Sequence, residues 1–449
     1  MIDNIPSSST GGDVPAKVMK CRRYQRTMTS VVSLYRKFIS YACREGIRPA
    51  LIQVMHWLYW NAHIYRLRFH IITILAIIAS MIAARRPRTQ RQVVFVSDRL
   101  QIRPIKLAYA LKEAGWQVIL LHRGVPTFDA SRYFAEIHQY WNPWEALWLA
   151  AKYTPIVYHV FSSWNFFVAA IFMRHKPGKI VFDNADLLTG MVREEILRRY
   201  PQQAELEQYC YANAEGLCCR DLRTQYLKRH LRYHLPKRIL FPEYCWPAEK
   251  FQRAPKLTDG IHVVYAGNLE LDPDSPVGYQ YELAALLSQN RIHFHIYPPF
   301  PQHAVDLRLN MSRYLATCGN PDFVHIHDTI PPDSLAEELS KYHYGILIST
   351  KKVDYGNDHN TYYQHAADYF VAAKIFDYMD ARLFTFTQNG RFLRFILEKH
   401  HNGKVVRCLE DIVIHCKHTS FTIPTIPQAY QLLTNIGRLT EFYMSLTRQ

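Results

Sequence analysis

Lys374-Ile-Phe-Asp377-Tyr-Met-Asp-Ala-Arg-Leu-Phe-Thr-Phe-Thr387 decides the fold, because it reads as a helix carrying a cation and a carboxylate that runs into a buried strand. Lys374 and Asp377 stand three residues apart and share one helix face near its first turn. Backbone N–H groups and the helix dipole at such a start favour an anion such as phosphate. A lysine there would hold a diphosphate, and the aspartate would accept from ribose hydroxyls. Taken alone, the same pair also suits a solvated surface helix.

The order of the neighbouring segments adds to this reading. Val263-Val-Tyr-Ala-Gly-Asn268-Leu, Ile292-His-Phe-His-Ile-Tyr-Pro and Phe323-Val-His-Ile-His327 read as three strands. Pro332-Asp-Ser-Leu-Ala-Glu-Glu-Leu339 reads as a helix and Tyr344-Gly-Ile-Leu-Ile-Ser-Thr350 as a fourth strand, directly ahead of the Lys374 segment. This succession resembles the C-terminal half of GT-B glycosyltransferases, most of all glycosyltransferase family 4 and its relatives, over about residues 93–412. The Lys374 helix stands where that family usually has a Lys-x-x-Glu helix.

The resemblance implies an α/β GT-B fold of two Rossmann-like parallel-sheet domains facing a cleft. The expected division is a basic, helical, membrane-associating segment over 1–90, an acceptor domain over 91–245, a donor domain over 260–415, and a C-terminal helix in 416–449 that returns toward the acceptor domain. It implies Gly267, Asn268, Lys374, Asp377 and Arg103 as donor-binding residues. Lys374, Asp186 and His159 are the implied catalytic set, and no metal or other cofactor is implied beyond the nucleotide-diphosphate sugar itself. Gly267 lacks a Cβ, so backbone N–H groups there are expected to approach the diphosphate. Two positions depart from the family pattern. Asn268, Leu269 and Glu270 follow Gly267 where an arginine and a lysine are usual, with Lys351, Lys352 and Arg103 as substitutes, and Asp368 precedes Asp377 by nine residues rather than eight. Tyr362, Tyr363, His365 and Tyr369 suit packing or contact with sugar or base.

The first domain opens at Val93-Val-Phe-Val-Ser97, followed by a loop with Arg99 and Arg103. A helix over Ile105–Ala114 stops at Gly115, and Trp116–Leu121 supplies the next strand, which predicts a parallel sheet. Ile156–Phe161 and Lys179–Asp183 read as further buried strands, and ligands bind at the carboxyl ends of such strands. His159, Asp183 and Asp186 are therefore acceptor-side candidates; Asp186 equally suits a turn or helix cap.

A length of 449 residues with 49% apolar content predicts two or three conventional domains. Nine cysteines without Cys-x-x-Cys spacing point to a reducing compartment and away from a metal cluster. The 22 histidines include no His-Glu-x-x-His, and His325 and His327 fit an alternating strand, so core or surface positions are expected.

The first 90 residues hold fourteen Lys and Arg against Asp3, Asp13 and Glu45, so most of the formal charge of +16 is local. Basic residues from Arg22 to Arg48 alternate with Val31, Leu34, Tyr35, Phe38 and Ile39, while Trp57, Tyr59, Trp60 and Tyr65 supply interfacial aromatics. That pattern suits an anionic membrane surface rather than nucleic acid. Ile71–Ala84 is an apolar run of fourteen residues bounded by arginines, short of the roughly 20 a span needs. An in-plane or re-entrant helix at the cytoplasmic face of the inner (plasma) membrane is expected.

Together these features lead to transfer of a sugar from a nucleotide donor to a lipid-linked or polysaccharide acceptor, with retention of anomeric configuration. A GT-B nucleotide-sugar epimerase, or a non-catalytic nucleotide-sugar-binding scaffold of a polysaccharide assembly complex, are the alternatives.

Overall fold

The computed structural model describes residues 63–98, 100–124, 129–163, 165–191, 201–267, 279–299, 301–331, 333–348, 369–388 and 390–448. Ile72–Gln449 form one compact unit. This unit holds two parallel sheets.

The first sheet comprises β1 (Gln92–Ser97), β2 (Gln117–Arg123), β3 (Glu136–Tyr140), β4 (Val157–Ser162), β5 (Ile180–Asn184), β6 (Gly216–Cys219) and β7 (Lys237–Leu240). Its order is β3-β2-β1-β4-β5-β6-β7, with every pair parallel. β1 and β4 are buried along their whole lengths, as expected for strands covered by helices on both faces.

The second sheet comprises β8 (His262–Ala266), β9 (His293–Tyr297), β10 (Val324–Ile326), β11 (Tyr344–Leu347), β12 (Phe384–Thr387) and β13 (Gly403–Val405). Its order is β10-β9-β8-β11-β12-β13, again all parallel. In both sheets the strand order reverses beside the first strand, between β1 and β4 and between β8 and β11. Open α/β sheets bind ligands outside the carboxyl ends at such reversals.

The chain crosses between the sheets twice, and the two crossings pair. Cys245 N donates to Tyr430 O at 2.7 Å and Leu432 N donates to Cys245 O at 2.9 Å. Helix Leu432–Thr447 then buries Leu432, Ile436, Leu439, Phe442, Tyr443 and Leu446 in the core of the first sheet. Gly216 in β6 makes room for it, since a Cβ there would meet the Phe442 ring and Leu446.

Helix His63–Arg85 is longer than the apolar run alone. Its small residues Ala76, Ser80 and Ala83 are buried, whereas Ile74, Leu75, Ile78, Met81 and Ile82 are about half exposed. Among the described residues, no helix is long and apolar enough to cross a membrane.

Candidate functional site

Helix Lys374–Asp380 is held at the carboxyl end of the second sheet by one tyrosine. Tyr378 Oη accepts from Ala266 N at 3.0 Å and donates to Ile346 O at 3.1 Å, which spans the strand reversal between β8 and β11. Gly345 in β11 lets that ring lie flat on the sheet, because a Cβ there would overlap it. Lys374 stands one turn before Tyr378 on the same helix face, so it too is brought over the carboxyl end of β8.

Lys374 crosses over Gly267, the residue that follows β8. Its Nζ donates to Tyr265 Oη at 2.7 Å and lies 4.1 Å from the Tyr265 ring centroid. Gly267 has φ +134°, and a Cβ there would overlap Lys374 Cε and Nζ. The glycine is thus needed for the side chain of Lys374, not for exposing a backbone donor. Its own N–H donates to Tyr297 O at 2.9 Å, which corrects the expectation that this amide faces a diphosphate. The helix is only seven residues long. The positive charge at this place therefore comes from the lysine ammonium more than from a helix dipole. Asn268 lies outside the described residues, as do Arg99, Lys351, Lys352, Tyr362, Tyr363, His365 and Asp368.

Asp377 has a partner that the sequence reading passed over. Lys106, from helix Ile102–Glu113 of the first domain, places Nζ 3.2 Å from Asp377 Oδ1, 3.2 Å from Asp380 Oδ2 and 3.1 Å from Tyr244 O. Asp380 Oδ1 accepts from Trp246 N at 2.9 Å. Lys106 is 1% exposed. Burial works against its charge, yet Asp380 and Asp377 outweigh burial and keep the ammonium protonated. Burial pushes the carboxyls the other way: Asp377 rises, and Asp380 is pushed up to about 7, with Lys106 opposing both shifts. The side chain of Asp377 retains some exposure, 14%, but one of its oxygens is already taken by the opposite domain. The sequence signal was present, since Lys106 stands as a lone charge among Ile105, Leu107, Ala108 and Leu111 in a helix buried on most of its sides.

Arg103 and His159 are corrected in a different sense: both lie in the core of the first domain. Arg103 Nε donates to Asp183 Oδ2 at 2.7 Å, and its Nη2 donates to Phe241 O at 2.9 Å. His159 Nε2 is 3.2 Å from the same Asp183 oxygen, and its Nδ1 is 2.5 Å from Tyr443 Oη. All four side chains are at most 1% exposed. Burial opposes the Asp183 charge, but Arg103 and the His159 hydrogen bond hold the carboxyl far below the usual range. Burial lowers His159, so the neutral imidazole donates to Asp183 and accepts from Tyr443. The histidine expected at the acceptor instead ties Asp183 to Tyr443 of the C-terminal helix, and the arginine expected at a phosphate is spent on Asp183 and Phe241 O.

A cleft nevertheless opens beside this network at the carboxyl ends of β1, β4, β5 and β6. Ser97, Asp98, Ser163, Asp183 and Arg220 line it together with one edge of Arg103. Arg103 Nη1 and Asp183 Oδ1 have no hydrogen-bond partner among the described residues. Asp186 is half-buried and accepts from Ser163 Oγ at 2.8 Å. The structure thus brings Gly267, Lys374 and Asp377 together on the second sheet and keeps Arg103 and His159 inside the first.

Neither protein-family models nor curated protein sequences give a match to this chain. Solved structures do share its fold. The chain is similar to sucrose-phosphate synthase from Thermosynechococcus elongatus, with TM-score 0.59 and 14% identity over 80% of this chain and 100% of that one. It is similar to a glycosyltransferase from Rickettsia africae, with TM-score 0.55 and 11% identity over 80% of this chain and 100% of that one. It is also similar to Anabaena HepE in complex with UDP-glucose, with TM-score 0.57 and 12% identity over 79% of this chain and 99% of that one. At these identities the likeness shows the fold: two Rossmann-like parallel-sheet domains in the GT-B arrangement.

Proposed function

We propose that the protein is a glycosyltransferase that moves a sugar from a nucleotide-diphosphate donor to a lipid-linked or polysaccharide acceptor. The observation that carries this reading is Lys374 Nζ lying over Gly267 at the strand reversal of the second sheet, with Asp377 one helical turn away. A leaving diphosphate needs its growing charge stabilised where water is excluded, and a fixed ammonium supplies that. Lys374 binds the diphosphate; Asp377, through the oxygen not given to Lys106, accepts from a ribose hydroxyl. The acceptor enters from the cleft lined by Ser163, Asp183 and Arg220, with Asp186 at its edge. Retention at the anomeric carbon follows if a departing phosphate oxygen takes the acceptor proton, which needs no additional base. The HepE structure with UDP-glucose supports a nucleotide sugar as the donor class.

Membrane association belongs to the same proposal. Ile74, Leu75, Ile78, Met81 and Ile82 recur three or four residues apart and form one exposed apolar stripe. Arg85, Arg86 and Arg88 follow directly, with no acidic residue between Glu45 and Asp98. An apolar stripe with flanking cations fits a helix lying in an anionic interface, here the cytoplasmic face of the inner membrane.

Two measurements test these parts separately. The full chain is screened by thermal shift against UDP, GDP, TDP, ADP and their sugars, since a ligand of the folded state raises Tm with the logarithm of its concentration. A rise with one nucleotide family that vanishes in Lys374→Ala is expected, along with slow sugar release from that donor. Binding without any turnover would favour the scaffold, and no rise with any nucleotide would remove the donor site. Flotation with phosphatidylglycerol vesicles is expected to carry the wild-type chain. The Ile78→Asp/Met81→Asp variant is expected to stay behind; equal flotation of both would end the in-plane assignment.

A further inference from the structure

The second sheet carries a group of histidines at the end opposite Gly267 and Lys374. His262 opens β8, His293 opens β9, and the parallel register sets the two side by side. Their rings stack 4.6 Å apart at 10°. Asp259 stands in the incoming linker three residues before His262, and its Oδ1 is 2.9 Å from His262 Nε2. The loop comes this close because Gly260 has φ +152°; a Cβ there would press to 3.3 Å of His293 Cδ2. Asp259, His262 and His293 each present one ligand atom, and the three atoms lie within 4.8 Å of one another.

Each imidazole is also held from behind. His262 Nδ1 is 2.9 Å from His295 Nε2, and His293 Nδ1 is 2.9 Å from His325 Nε2. Ligand histidines use one nitrogen for the metal and the other for an oriented partner, which fixes the tautomer and the ring plane. The Nε2 edge of His293 turns toward Gly260, beside Asp259. The side chain of Asp259 is 71% exposed and leaves a route from solvent, while His262 is buried.

We propose that Asp259, His262 and His293 form a binding site for a divalent transition-metal ion of the zinc class. Two imidazoles and one carboxylate match the ligands such ions prefer and offer too few oxygens for magnesium or calcium. Water completes the coordination on the exposed side. The ion ties the end of the inter-domain linker to the first two strands of the donor domain. β8 separates this site from Gly267 by five residues, about 17 Å of strand, so the ion takes no part in sugar transfer.

The test uses the full chain, stripped with a chelator and titrated with zinc chloride. Expected are one tight equivalent by calorimetry and a Tm that climbs with zinc concentration. Magnesium chloride is expected to give neither. Asp259→Asn and His293→Gln are each expected to weaken zinc by tenfold or more while leaving the Tm of the stripped protein within a few degrees. With cobalt chloride, the wild type is expected to show visible bands of tetrahedral coordination, and both variants to lose them. Zinc affinity unchanged in both variants would assign the binding to other histidines and overturn the proposal. So would the absence of a tight equivalent in the wild type.

Discussion

Gly267 shows what a single residue can and cannot reveal. Its place after a strand was readable from Val263-Val-Tyr-Ala-Gly267, but its task was not, because the lysine that crosses it lies more than a hundred residues later. Gly267→Ala places a Cβ on Lys374 Cε and Nζ and asks alanine for a φ of +134°, a region that L side chains avoid. Donor affinity is expected to fall at least tenfold, with a stability loss of about 1–3 kcal/mol, in calorimetry and chemical denaturation. Donor affinity within twofold of the wild type would show that Lys374 does not need this crossing. Arg103 makes the complementary point. An arginine in the loop after the first strand looks like an anion contact, and only the fold shows its guanidinium spent on Asp183 and Phe241 O.

Among the elements, the histidine-bearing strands make the strongest physical commitment. Asp259, His262, His295 and His327 form one chain of hydrogen bonds at 2.9, 2.9 and 3.0 Å, which closes when every ring is neutral and donates in the same direction. Burial lowers His295, His327 and His343, the last two to about 4. Among the charged groups nearby, Lys341, Arg308 and Lys256 add to the lowering, and Asp259 and Glu338 oppose it. The unfolded values lie near 6.5, so between 6.5 and 4 the unfolded chain binds protons that the folded chain refuses. The stability from these histidines is therefore whole above pH 6.5 and is lost as pH falls toward 4. In chelator-treated protein, Tm is expected to drop by several degrees between pH 7 and pH 5, and by less in His327→Asn. A Tm independent of pH over that range would rule the effect out. The alternation of Phe323-Val-His-Ile-His327 predicted a strand with its histidines on one face, yet their partners on β8 and β9 follow only from the register.

For the molecule as a whole, the contact that matters most is the one between the domains. Lys106 belongs to the first domain, and Asp377 and Asp380 to the second, so one buried ammonium joins the two halves beside the proposed donor site. Lys106→Met would leave two buried carboxyls without a counter-charge. A loss of about 3–5 kcal/mol is expected in urea unfolding, with faster proteolysis of the linker around Lys250 to Leu257. An unchanged unfolding midpoint would mean that the domains are held by the paired crossings at Cys245 and Gln431 instead.

The sequence by itself determined the elements and their kind. Continuous apolar runs such as Val93–Val96 specify strands buried on both faces, and helices between them force parallel pairing and two open sheets, because local periodicity carries that information. It also marked the Lys374 segment and the glycine after β8. Tertiary structure alone decided which polar residues reach the site and which are consumed in the core. Arg103 and His159 read as polar residues near strand ends and Lys106 as one residue of a helix, but their partners stand 24 to 284 residues away. An ionisable side chain takes its role from the charges that folding brings against it, and no window of sequence contains those distances.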